Sequence, residues 1–117
     1  MSQENRLEKT NRVNLLFDFY ETLLTVKQQT FLKYYFFDDF SLGEIAAEFE
    51  ISRQAVYEHI KRAEGMLEAY EEKLGLLQKY EKRHELLSAL GELLEQSEIS
   101  AVHKEAAGQL LREAEQI

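Results

Sequence analysis

Residues 40–67, FSLGEIAAEFEISRQAVYEHIKRAEGML, decide the fold. Ser41 stands three residues before Glu44, the pattern of a capping box, in which each side chain satisfies a backbone N–H left open by the first helical turn. Ile45, Ala46 and Phe49 follow at helical spacing, and the small Ala46 lets a second helix cross closely. Ser52 is a second N-cap, and behind it Val56, Ile60 and Ala63 recur three and four residues apart. Glu50 marks the turn between the two helices, and Ile51 plugs back into the core. Two helices joined so tightly form a helix-turn-helix, whose second helix offers its N-terminal outward residues to a DNA major groove. Here those residues are Ser52, Arg53, Gln54, Tyr57 and Lys61, with His59 and Arg62 flanking them.

Upstream, Val13, Leu16, Phe17, Tyr20 and Leu24 predict a first helix reaching about residue 23 behind a polar start over residues 1–12. Thr25 with Gln28 forms another capping box and opens a second helix that carries Phe31, Leu32, Tyr35 and Phe36 inward. Asp38-Asp39 ends it. Downstream, Val56, Ile60, Ala63, Leu67, Tyr70, Leu74 and Leu77 alternate steps of four and three, a heptad seam. It predicts one helix over residues 53–79 that passes through Gly65 and Gly75, with a break at residues 80–84. Two shorter amphipathic helices follow. Leu86, Leu87, Leu90, Leu93 and Leu94 form one face ending near Gln96, and Ser100 caps a last helix striped by Val102, Ala106, Leu110, Leu111 and Ala114. The expected class is all-α: a helix-turn-helix domain over residues 1–68 and a helical extension over residues 69–117. The leucines of the extension need cover, either from the long helix or from a second chain, and a homodimer is the expected assembly, since each buried leucine gains roughly 1.5–3 kcal/mol.

Composition narrows the function. The 117 residues include no proline and only five glycines, which suits long helices and argues against a turn-rich β fold. The absence of cysteine excludes a disulfide framework and thiolate metal ligands. The first residues lack the apolar core of a secretory signal, and no apolar run approaches the ~18 residues of a membrane span, so a cytoplasmic protein off the membrane is expected. The formal net charge of −8 is unusual for a nucleic-acid binder, because phosphate neutralisation supplies most non-specific affinity. Residues 65–117 carry six Lys/Arg against eleven Asp/Glu, and residues 41–64 carry three against five, so the motif itself is not basic. Weak non-specific DNA affinity is expected.

The residues 41–67 resemble region 4 of bacterial sigma factors, and residues 23–40, LLTVKQQTFLKYYFFDDF, resemble the helix that precedes the motif there. The whole chain, with its acidic helical tail, most closely resembles the YlxM family of Gram-positive bacteria. That resemblance implies a stand-alone sigma-region-4-like protein, encoded beside the signal recognition particle GTPase Ffh and acting as a regulator of that pathway. The implied partners are the particle's RNA, Ffh or DNA. Nothing in the chain resembles the other regions of a sigma factor, so promoter melting is not implied.

The outward face of the second motif helix is the candidate site. Arg53 suits guanine O6/N7, Gln54 suits adenine N6/N7, and Tyr57, Lys61 and Arg62 reach phosphates. For an RNA partner the same cations would read shape and phosphates, because the A-form major groove is too narrow for a helix. The alternative is a solvated polar face turned to protein contact. Two further functions stay open on this reading: a dimeric transcriptional regulator, and a protein–protein module whose motif no longer binds nucleic acid. The aromatic run Tyr34, Tyr35, Phe36, Phe37 and Phe40 reads as core at helical spacing, with stacking on unpaired bases as its functional alternative. His59, His84 and His103 have no second ligand at metal-binding spacing and read as surface or capping residues. The carboxylates alternate with apolar positions as a solvated face, and no glycine-rich phosphate loop or nucleophile elbow is present. No enzyme activity, metal or cofactor is expected.

Overall fold

A computed structural model describes residues 3–117, so the first two residues of the expected polar start lie outside the described residues. Six α-helices are present among these residues: α1 Gln3–Tyr20, α2 Val26–Leu32, α3 Leu42–Phe49, α4 Arg53–Leu74, α5 Leu76–Gln96 and α6 Ala101–Glu115. A 3-10 turn, Glu21–Leu23, follows α1, and a π-helical turn, Lys33–Phe37, follows α2. The chain divides into two units, Met1–Leu77 and Gln78–Ile117.

The first unit holds the core. Val13, Leu16, Phe17 and Tyr20 of α1 meet Phe31 and Leu32 of α2, Ile45 and Ala46 of α3, and Val56, Ile60, Ala63 and Leu67 of α4, all buried. Both capping boxes form: Thr25 accepts the Gln28 N–H, and Ser41 accepts the Glu44 N–H, with each N3 side chain returning a bond to the cap backbone. Ser52 caps α4 by accepting the Ala55 N–H. The turn between α3 and α4 is made by Glu50 at φ 55° and ψ 43°, the left-handed conformation that lacks the usual glycine here. The Ile51 N–H then reaches back to the Ala46 carbonyl at 3.1 Å.

Three expectations are corrected here. The long helix stops at Leu74, because Gly75 takes φ 63° and closes α4 with its N–H on the Glu71 carbonyl. The apolar period runs across Gly75 in the sequence, but in the structure Leu74 is exposed while Leu77 is buried. The new helix α5 starts without a Ser or Thr cap. Its first donors are met instead by tertiary partners: the Leu76 N–H by the Tyr20 hydroxyl at 3.0 Å, and the Leu77 N–H by the Glu71 carboxylate at 3.0 Å. Second, residues 80–84 lie within α5 and break nothing. Third, Tyr35 is exposed, as are Phe37 and Phe40, while Phe36 is half-buried against the core. The cause is the π turn. Its wider bond, Asp38 N–H to the Lys33 carbonyl at 2.9 Å, takes more residues per turn and rotates Tyr35 off the inward stripe of α2, while Tyr34 and Phe36 stay packed against the core.

The second unit is an antiparallel hairpin of α5 and α6, joined across residues 97–100, with Ser100 capping α6 on the His103 N–H. His84 pairs with Glu115 at 3.0 Å, and Lys104 donates to the Glu95 carbonyl at 3.0 Å. A Cβ at Gly91 would stand 3.5 Å from the Leu111 side chain, so the helices approach closely at that level. No residue of 78–117 is buried. The single leucine face expected for α5 is split: Leu87 and Leu94 are half-buried, while Leu86, Leu90 and Leu93 are exposed. On α6, Leu111 is half-buried, and Val102 and Leu110 are exposed.

Candidate nucleic-acid interface

The capped start of α4 places the sequence-derived residues on its surface. Ser52, Arg53, Gln54, Tyr57, Lys61 and Arg62 are all exposed, and Val56, Ile60 and Ala63 on the opposite side anchor the helix in the core. At about 100° per residue, Tyr57, Lys61, Gln54, Glu58 and Arg62 sweep in that angular order across the outward half of the helix. Arg53 lies over the start of α3 and Tyr57 toward α1, whereas Arg62 lies on the flank of His59 and Lys27 of α2.

Each side chain has a defined setting. The Ser52 hydroxyl oxygen is engaged as the helix cap at 3.0 Å from the Ala55 N–H, which leaves its own proton free to be donated outward. The Arg53 guanidinium lies over Gly43, where a Cβ would stand 3.1 Å from its Nε and Nη2. The bare backbone of residue 43 therefore makes room for this side chain. Gln54 donates to Glu58 at 3.4 Å, a long bond one turn apart on an exposed face. Lys61 stands 5.6 Å from the centre of the Tyr57 ring and 3.7 Å from the Glu64 carboxylate.

Tertiary packing adds cations that the motif does not contain. Lys9 of α1 reaches the same Glu64 carboxylate at 3.4 Å, so two ammonium groups share one partly covered acid. The two helices run side by side in the same direction, held further along by the paired bonds of Arg12 to Glu68, both 3.0 Å. On the other flank Lys27 of α2 acts on His59 together with Arg62. Neither Lys9 nor Lys27 was flagged by the sequence, because nothing in local spacing says which helix will lie beside α4.

His59 does not belong with the outward residues. Its ring stacks on Phe31 at 4.8 Å with an interplanar angle of 14°, half-buried at the edge of the core. Burial lowers its pKa below the ordinary histidine value, and the positive charges of Lys27 and Arg62 lower it further, against a smaller opposing effect of Glu58. The lowered pKa favours the neutral ring, and the stack on Phe31 makes His59 a packing residue at the edge of the core. His84 and His103 do take local roles, on Glu115 and at the Ser100 cap.

The family pattern described as "Putative helix-turn-helix protein, YlxM / p13 like" matches residues 7–107, the whole of the motif and most of both units. The chain belongs to this family. The UPF0122 protein YlxM of Bacillus subtilis is 58% identical over 100 residues, covering 82% of this chain and 91% of that protein. A UPF0122 protein of Listeria welshimeri is 64% identical over 83 residues, 71% of this chain and 76% of its own. One from Halalkalibacterium halodurans is 60% identical over 94 residues, covering 80% and 86%. The family is described by its helix-turn-helix and not by a reaction. Among the described residues no helix is long and apolar enough to cross a membrane.

Proposed function

We propose that this protein is a non-enzymatic regulator that binds nucleic acid through the outward face of α4 and acts, as the family resemblance implies, in the signal recognition particle pathway. The observation that carries the reading is the exposed, capped N-terminal half of α4, with Arg53 seated over Gly43 and Lys61 held beside Tyr57. The acid that surrounds it shapes the mode of binding. Glu50, Glu58 and Glu64 lie on or next to this face, and the chain as a whole carries −8. A structured partner that presents phosphates to a few fixed cations suits such a surface better than long non-specific duplex DNA. The particle's RNA fits that description, with Ffh as the protein partner and cytoplasm as the compartment.

A salt-titrated binding assay against the particle's RNA, bulk duplex DNA and Ffh tests the reading. Tight RNA binding that weakens with salt and is lost in Arg53→Ala supports it. RNA affinity untouched by Arg53→Ala and Lys61→Ala together sinks it. Binding of a defined DNA sequence, lost in Arg53→Ala and Gln54→Ala, turns the assignment to a transcriptional regulator, whose dimer would need recognition helices ~34 Å apart.

A second reading concerns assembly and rests on the hairpin of α5 and α6. Over residues 78–117 it buries no residue, yet it exposes Leu86, Leu90 and Leu93 at spacings of four and three, along with Val102 and Leu110. Two such hairpins facing each other make a four-helix arrangement that covers these leucines, which supports the homodimer. If Ffh binds the chain regardless of Arg53 and Lys61 but not after loss of Leu90 and Leu93, the hairpin is the partner site instead.

A further inference from the structure

Beside α4, within the first unit, lies a groove of about 1050 Å³, at the upper end of the ~300–1,000 Å³ of ligand clefts. Its lining mixes apolar and charged side chains. Leu7 of α1, Tyr35 of the π turn, Phe40 at the foot of α3 and Tyr57 of α4 all face it while remaining exposed, at 63%, 37%, 37% and 45%. Tyr35 is packed edge-on against Phe36 at 88°, and Phe40 leans on Tyr34 with ring centres 5.0 Å apart, so both rings are braced from behind. Arg6, Lys9 and Lys61 line the same groove, against Asp39 and Glu64. In a chain with a net charge of −8 this concavity carries a positive excess. Lys9 and Lys61 are held together there by Glu64, at 3.4 and 3.7 Å.

We propose that this groove receives an unpaired nucleotide of the nucleic acid bound by α4, the base stacking on Tyr35 or Phe40 and the phosphate lying by Lys9 and Lys61. The proposal rests on the nucleic-acid reading of α4, because Tyr57 and Lys61 belong both to its outward face and to the groove wall. Braced aromatic rings with cations at the rim form the arrangement that single-stranded binders use, since every base offers a ring face and every nucleotide a phosphate. A second protein chain suits the groove less well, because five ionised groups in its lining would have to be desolvated or matched. The π turn supplies the site: without its rotation Tyr35 would lie on the inward stripe of α2.

The test compares two RNA hairpins with identical stems, one fully paired and one carrying a single bulged 2-aminopurine, together with the matching DNA pair. Full-length protein is titrated into each, following anisotropy and 2-aminopurine quenching. The expected result is about tenfold tighter binding of the bulged probe with quenching of its fluorescence. The double variant Tyr35→Leu, Phe40→Leu removes both, and its fold is checked by circular dichroism. Arg6→Ala, on an exposed turn of α1, weakens the bulged probe more than the paired one and guards against a folding artefact. Equal affinity for both probes, both weakened by Arg53→Ala, overturns the groove and keeps the α4 reading. A preference that survives the double variant also overturns it, and binding of neither probe overturns both readings. A preference seen with RNA alone, or with RNA and DNA alike, supports the groove and tells the two sources of an unpaired nucleotide apart.

Discussion

The phenol of Tyr20 and the carboxylate of Glu71 meet at 2.6 Å, and between them they hold the start of α5. Tyr20 donates to Glu71 and accepts the Leu76 N–H, while the same carboxylate oxygen accepts the Leu77 N–H. These bonds do the work of an N-cap, with partners contributed by helices far apart in sequence. Tyr20→Phe takes the acceptor from the Leu76 N–H and removes one donor to the Glu71 carboxylate, in a partly buried corner. The expected loss is ~1–3 kcal/mol in urea denaturation, and Glu71→Gln, which keeps an acceptor, loses less. A loss in Tyr20→Phe no larger than that of an exposed Tyr57→Phe would show that the corner is held by packing alone.

The same pair gives an alkaline signature. Burial raises the Tyr20 pKa above its ordinary 10.0, the hydrogen bond to Glu71 raises it further, and the Leu76 N–H opposes. A pKa raised in the folded state means that the neutral phenol is favoured there. Its stabilisation is complete below the unfolded value of ~10 and is lost as the pH rises through the folded value. Unfolding free energy should therefore fall above pH ~10, and Tyr20→Phe should flatten that fall.

Two turns ask for opposite substitutions. Glu50 holds φ 55° and Gly75 holds φ 63°. The left-handed region costs an L-residue ~1–2 kcal/mol, offset in part by the greater freedom of glycine in the unfolded chain. Glu50→Gly should raise stability by roughly 0.5–1 kcal/mol, and Gly75→Ala should lower it by about the same amount. Thermal or urea denaturation of the two variants decides this, and a stabilised Gly75→Ala would mean that α4 and α5 prefer to run as one helix.

That point marks what the sequence could and could not carry. The capping boxes at Thr25 and Ser41 and the Ser52 cap were legible because each lies within four residues of its partner. The inward stripe Val56, Ile60, Ala63 and Leu67 was legible because a 3.6-residue period has one solution on a helix. Gly75 was not, since its apolar neighbours keep step across it and the Tyr20–Glu71 cap is tertiary. The exposed Tyr35 was hidden by the π turn, a change of period that no single residue announces. On the candidate face, the exposure of α4's own side chains was readable, whereas Lys9 and Lys27 arrive by packing, and the half-buried setting of His59 was not legible because its stack on Phe31 joins two helices.

Arg53 over Gly43 separates binding from stability. A Cβ at residue 43 would stand 3.1 Å from the guanidinium, which is the far end of a flexible side chain and can move aside. Within α3 alanine is a better helix former than glycine by ~1 kcal/mol. Gly43→Ala should thus keep or raise stability while weakening nucleic-acid binding in the same sense as Arg53→Ala. Unchanged affinity in Gly43→Ala, alongside a clear loss in Arg53→Ala, would show that the seat over residue 43 does not position the guanidinium.

The leucines of the second unit give a prediction about assembly. Leu90→Lys with Leu93→Lys places charges on the exposed stripe without touching the half-buried Leu87 and Leu94. Sedimentation equilibrium should show a dimer for the natural chain and a monomer for the double variant. Helical content should be kept at least over the first unit, whose core does not include these residues. A natural chain that is monomeric at all accessible concentrations removes the homodimer.

His59 reports on the flank of α4 that carries Arg62. Its pKa is lowered by burial against Phe31, then by Lys27 and Arg62, with Glu58 working the other way. A lowered folded pKa favours the neutral ring in the native state. The stabilisation is present above the unfolded value of ~6.5 and is lost as the pH falls through the folded value. Unfolding free energy should thus decline from pH ~6.5 downward, and the decline should be shallower in His59→Phe, which keeps an aromatic stack. The same ring can report on binding. A phosphate that settles by Lys27 and Arg62 offsets the two charges that depress the ring, so bound nucleic acid should move the His59 pKa upward in an NMR titration. Binding without any such movement would place the phosphates on the Lys61 side of α4 and take Arg62 out of the interface.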